Sequence, residues 1–138
     1  MTRQLAALAA VVGLLTTACS VGIAATPTDT EPLVVDVRMK HSRFVPATLS
    51  VPAGREVRFV VHNEDFLEHE FIVGDAEVQE RHRTGTEPAH DERPTEVDVP
   101  GEATVTTTVT FAVPGSLTFA CHVTGHYAYG MVGTLTVT

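Results

Sequence analysis

Phe119-Ala120-Cys121-His122-Val123-Thr124-Gly125-His126-Tyr127-Ala128-Tyr129-Gly130-Met131 joins two alternating apolar runs, and its reading decides the fold. Before it, Leu117, Phe119 and Cys121 share one phase of a period of two. After it, Met131, Leu135 and Val137 do the same. Successive side chains of a strand point to opposite faces, so both runs read as half-buried strands joined by a short loop. Cys, His and Met are thereby spaced C-x4-H-x4-M on a strand–loop–strand unit.

The same period runs through the chain upstream. Leu33, Val35, Val37 and Met39 alternate with Asp36, Arg38 and Lys40. Thr48 to Val51 is a short strand closed by the turn Pro52-Ala53-Gly54. Val57, Phe59 and Val61 face inward while Arg58 and His62 face out, and His69, Phe71 and Val73 share a phase. Val105, Val109, Phe111 and Val113 alternate with threonines before the turn Pro114-Gly115. About seven short alternating strands with Pro/Gly turns predict an all-β sandwich. Asp75 to Pro94 breaks the pattern with Gly85, Pro88, Pro94, many charges, His82 and His90. It reads as a long surface loop, an insertion at about 75–94, or a marginal helix.

The 138 residues are enough for one domain. Arg3 precedes an apolar stretch from Gln4 to Leu15 that ends in small residues, the pattern of a secretory signal over residues 1–18. Leu15-Thr16-Thr17-Ala18-Cys19 resembles a bacterial lipobox, which would lipidate Cys19; ordinary cleavage near Ala24-Ala25 is the alternative. Residues 19–32, rich in Ala, Thr, Pro and Asp, read as a flexible tether, which leaves the domain at 33–138. The expected location is the periplasm or the outer face of the cell membrane, with membrane contact only through an anchor at Cys19. A formal net charge of −8 argues against nucleic acid and against direct binding to anionic lipid. We expect a monomer.

Either fate of Cys19 leaves Cys121 alone in the fold. A single unpaired cysteine is unusual in an exported protein, where disulfides are the common use, and a metal-bound thiolate accounts for it. Cys121 as a small core residue, Met131 as packing and His126 as a turn residue are each ordinary readings. Their joint spacing, with His69 upstream in an inward phase, makes coincidence a poor explanation. Thiolate, two imidazoles and a thioether form the donor set of a mononuclear electron-transfer copper site. His69, Cys121, His126 and Met131 are the candidate ligands, with Met131 weak and axial.

Residues 33–138 resemble the cupredoxins, the plastocyanin/azurin-like blue copper proteins. The resemblance rests on Phe44-Val45-Pro46-Ala47-Thr48-Leu49-Ser50-Val51-Pro52-Ala53-Gly54, on His69-Glu70-Phe71, on the C-terminal motif and on Gly130-Met131-Val132-Gly133-Thr134-Leu135-Thr136-Val137. It implies an eight-stranded Greek-key sandwich with one type 1 copper at its loop end. Many members carry Asn directly after the first His ligand, where it ties the two ligand-bearing segments together; here that position is Glu70. The side-chain crosslink must therefore differ, and a green-shifted, more tetragonal site is one expected consequence.

His122 should point to the opposite face from Cys121 and stay out of that site. His82 and His90 are either solvated loop residues or a second, weaker copper site. His41 and His62 read as ordinary surface residues. Tyr127 and Tyr129 would pack over the metal or form a docking patch.

The leading expectation is a one-electron carrier outside the cytoplasm that serves unidentified redox partner proteins. The alternative is a copper-handling or copper-tolerance protein that binds or buffers the metal. A third is a subunit docked on a larger oxidase or reductase. No substrate pocket or acid–base pair is legible, so an enzyme is not expected.

Overall fold

The structure is a computed structural model that describes residues 31–86 and 93–138. The expected signal at 1–18, Cys19, most of the tether and His90 lie outside the described residues.

Among the described residues the alternating runs form nine strands: β1 (Leu33–Met39), β2 (Phe44–Val45), β3 (Thr48–Val51), β4 (Glu56–Asn63), β5 (His69–Gly74), β6 (Glu96–Val99), β7 (Thr104–Thr110), β8 (Gly115–Ala120) and β9 (Val132–Val137). One sheet has the order β2-β1-β4-β7 and the other β3-β9-β8-β5-β6. β1 runs parallel to β4 and β3 parallel to β9, while the other pairs are antiparallel. These parallel pairings bring sequence-distant strands side by side, as a chain that crosses between two layers requires.

The count exceeds both expectations for local reasons. β2 is too short to show alternation, and β6 buries both Glu96 and Val97, which erases it. Inward phases hold in β1, β4 and β5, and Val37, Phe59, Phe71, Phe119 and Leu135 meet in one core. The rings of Phe44 and Phe119 lie edge-on with centroids 5.0 Å apart. Thr107 shares the inward phase of Val105 and Val109 and is buried, its hydroxyl donating to the Pro94 carbonyl at 2.7 Å, but the phase does not extend to Val113, which is 75% exposed beyond the end of β7.

The stretch expected as a loop or marginal helix carries α1 (Ala76–Thr84). Its start and stop signals are ordinary ones. Asp75 Oδ1 accepts from the N–H groups of Glu77 and Val78, and Gly85 adopts the left-handed conformation that closes the helix. α1 lies on the outer face of the second sheet, against β5 and β8. Gln79 anchors it by donating to the carbonyls of Ile72 and Thr118 at 3.1 and 3.0 Å. Gly74 permits the approach, since a Cβ there would sit 2.5 Å from Val78 Cβ. Among the described residues no helix is long and apolar enough to cross a membrane.

Gly74→Ala should therefore destabilise the protein by about 1–3 kcal/mol through overpacking. Urea unfolding measures it, and an unchanged midpoint would contradict this seating of α1.

Candidate metal centre

Strand register builds the site. β5 and β8 are neighbours with Ile72 opposite Ala120, and β8 pairs with β9 with Ala120 opposite Val132. His69 opens β5, Cys121 follows β8 and Met131 precedes β9, so all three collect at one end of the sandwich. All three are fully buried, as their phases predicted. Cys121 N–H donates to the Met131 carbonyl at 3.2 Å, which extends the β8–β9 ladder into the loop mouth. Inside the loop, His126 N–H donates to Val123 O and Met131 N–H to His126 O, both at 2.9 Å. Gly125, at φ +88°, supplies a left-handed turn, and a Cβ there would press on the Tyr129 ring at 3.2 Å.

These constraints bring three donors together. His69 Nδ1 and His126 Nδ1 are 3.2 Å apart, and Cys121 Sγ lies 3.8 Å from the first and 3.4 Å from the second. Three donors around one first-row ion, each about 2–2.3 Å from it in a plane, would sit roughly 3.5–3.8 Å apart. The observed triangle is close to that size. Among the described residues it is the one cluster of three or more His, Cys, Asp or Glu donors this compact.

Burial disfavours charge on these donors. Burial pushes the Cys121 thiol pKa up; the N–H groups of Glu70 and Val123 offset this in part, while the Glu70 and Asp98 carboxylates add to it. Burial, and then His69, lower the His126 pKa against a smaller opposing effect of Asp65. A metal ion bound here would displace the thiol proton and take thiolate and neutral imidazole as ligands. Sulfur with two imidazoles is a donor set that fits copper.

Two supporting carboxylates complete the arrangement. Glu70 Oε2 accepts from the His122 backbone N–H at 2.8 Å, while Glu70 N–H points at Cys121 Sγ at 3.4 Å. The crosslink expected of Asn at this position thus exists with a carboxylate in its place. The second carboxylate, Asp65, was missed in the sequence. Its Oδ2 is 3.0 Å from His69 Nε2, so the ring's proton sits on that edge and Nδ1 keeps its lone pair for a metal. Asp65 also accepts from the N–H groups of His41 and Ser42, both at 2.8 Å. Those two residues have left-handed backbones at φ 50° and 52°, a strained pair for non-glycine residues that the carboxylate holds in place. Burial acts to raise the Asp65 pKa, but the N–H of Ser42, the His69 ring and the N–H of His41 outweigh it and hold it below the ordinary value. Asp65 lies four residues before His69, but the turn it secures is 23 to 24 residues away, so no local pattern marks it.

The remaining histidines separate. His62 lies on the outer face of the first sheet between Thr104 Oγ1 and Asp36 Oδ1, at 3.0 and 3.3 Å. His122 points away from the donor triangle, as its strand position predicted, and its ring stacks on Tyr127 with centroids 5.0 Å apart. His82 is on α1, beside His122.

A family profile for cupredoxin-like domains matches residues 5–137, and the chain belongs to that family. Among characterised relatives, it is 37% identical over 98 residues to the copper-resistant cuproprotein CopI of Rubrivivax gelatinosus, covering 69% of this chain and 59% of that protein. It is 31% identical over 136 residues to the CopI of Pseudomonas aeruginosa, with 75% of each chain covered. Among solved structures, auracyanin B superposes with a TM-score of 0.64 at 24% identity, covering 84% of this chain and 93% of that one. Auracyanin A of Chloroflexus aurantiacus, a "blue" copper protein, gives 0.63 at 23% identity, with 78% and 100% covered. These two structural matches establish the shared fold.

Glu70→Ala and Asp65→Ala should each weaken copper binding about 10–100-fold, the usual cost of losing a group that orients a ligand. Competition against a copper chelator measures this. Glu70→Gln, which keeps an acceptor for His122 N–H, should recover most of the loss; equal loss in both Glu70 variants would mean charge rather than the crosslink matters.

Proposed function

We propose that the protein holds one type 1 copper ion at His69, Cys121 and His126, with Met131 as a weak axial ligand, and carries single electrons outside the cytoplasm. The observation that carries this reading is the donor triangle, buried and already near the size a metal would impose. Cu(I) favours few soft donors, and Cu(II) favours nitrogen in tetragonal arrangements. A rigid trigonal thiolate–imidazole site is a compromise between the two, so a change of oxidation state requires little movement. His69 is fully buried and capped by Asp65, whereas His126 is only half-buried, so His126 is the proposed edge for electron exit. Tyr129, 77% exposed on the ligand loop, would contribute to docking a redox partner. Export rests on the signal-like residues 1–18. No catalytic role is proposed.

A second reading, copper tolerance by binding or buffering the metal, is supported by the two relatives named as copper-resistant cuproproteins. The chain spans 59% of the Rubrivivax relative, so what that whole protein does is no more than a guide to this one. The two readings share the same site and differ in the fate of the bound copper, which either cycles between oxidation states or is simply retained.

Absorption and EPR spectra with Cu(II) test the centre. Wild type should show an intense thiolate-to-copper band, which Cys121→Ser should abolish; persistence of the band would refute the ligand assignment. Met131→Gln should keep copper and colour while shifting the reduction potential, and complete loss of copper would remove Met131 from the axial position. A carrier should cycle reversibly in voltammetry. A buffer should protect cells from copper even when its potential has been moved by Met131→Gln.

A further inference from the structure

The polar cluster between α1 and the outer face of the second sheet is not used by the centre described above. Gln79 orders it. Its amide nitrogen donates to two carbonyls, Ile72 O and Thr118 O, so its Oε1 is the acceptor that faces His122 Nε2 at 2.8 Å. His122 must therefore carry its proton on Nε2, which leaves Nδ1 as a bare lone pair. That Nδ1 is buried and has no hydrogen-bond partner among the described residues, an arrangement that costs free energy unless a donor or cation is supplied.

His82 is fixed in the complementary way. Its Nδ1 lies 2.9 Å from the Val78 carbonyl one helical turn earlier, so Nδ1 carries the proton and donates. Nε2 is then the metal-competent nitrogen, and it sits 3.9 Å from Glu96 Oε2, whose carboxylate is also paired with Arg93. The rings of His82 and His122 have centroids 5.7 Å apart, tilted by 32°. Two imidazoles on one ion, with bonds of about 2 Å, have centroids roughly 4.5–6 Å apart. His69 and His126 at the first centre are at 4.9 Å.

We propose that His82 Nε2 and His122 Nδ1, with the Glu96 carboxylate as an oxygen donor, form a second copper site on the opposite face of the sheet from Cys121. This deepens the copper-tolerance reading, on which it rests. Two imidazoles and a carboxylate suit Cu(II), the tightest-binding divalent ion of its row for such donors. A surface cleft of about 300 Å³ lined by Arg83, His122, Thr124, Gly125 and Tyr127 provides an entry path. The pair is looser than the first cluster, so this copper binds more weakly. The Cys121–His122 peptide bond would link the two centres directly.

The test is a Cu(II) titration of the full chain, read by bound metal after desalting and by EPR. Wild type should take up about two ions, the second with a wide-hyperfine EPR signal and no thiolate band. His82→Phe should lose that second ion and signal while keeping the thiolate band. His90→Ala should retain both. Saturation at one ion, or loss of the second in His90→Ala but not in His82→Phe, would overturn the proposal. The thiolate band in the same samples reports separately on the first centre, so its absence would count against the proposed function and leave the dependence on His82 to decide this site. Should His82→Phe fail to fold, ¹⁵N NMR of the wild type with Zn(II), a diamagnetic divalent ion that takes the same imidazole and carboxylate donors, decides the matter. His122 Nδ1 should shift when a second equivalent is added, and an unmoved resonance would refute the site.

Discussion

The centre depends on holding a buried sulfur and two imidazole nitrogens within 4 Å of one another, at a separation they would not keep without support. Burial makes charging any of them costly. The fold must supply the restraint. It does so with the β8–β9 ladder that ends in Cys121 N–H to Met131 O, and with the internal hydrogen bonds of the ligand loop. The aromatic core anchors both strands from below, since Phe119 is two residues before Cys121 and packs against Phe44 and Phe71. A metal entering this site would find its donors already gathered by the fold.

Carboxylates do much of the positioning. Glu70 joins β5 to the Cys121–His122 peptide, and Asp65 joins His69 to the β1–β2 turn. Both lie just outside the donor triangle, where in the proposed copper site they would favour Cu(II) and so lower its reduction potential. Asp65 also restricts His69 to one tautomer. Among the described residues His126 has no comparable cap, and it lies nearer the surface.

α1 gives the back of the ligand strand a second environment. The two sheets form the layers of the sandwich, and outside them Asp75 and Gly85 delimit a helix on which Gln79 and His82 face His122. Cys121 and His122 are adjacent in sequence but face opposite sides of the sheet. One peptide unit therefore borders both the buried donor triangle and the cluster under α1. The proximity follows from the alternation of strand side chains.

Much of the centre was legible in the sequence because it is built on strand phase. Cys121, His69 and Met131 fall in step with inward apolar residues, and a period of two leaves them no face but the core. The sandwich and the seating of β1, β4 and β5 followed from the same rule. The helix was half legible, through Asp75 and Gly85, but its polar composition and the prolines nearby masked it. What only the tertiary structure decided are contacts between residues far apart in the chain: the grip of Asp65 on His41 and Ser42, the Glu70 bond to His122 N–H, and the meeting of His82 with His122. Sequence pattern reports which face a side chain takes; the partner it meets there is set by how strands and helix cross, and no local periodicity encodes that.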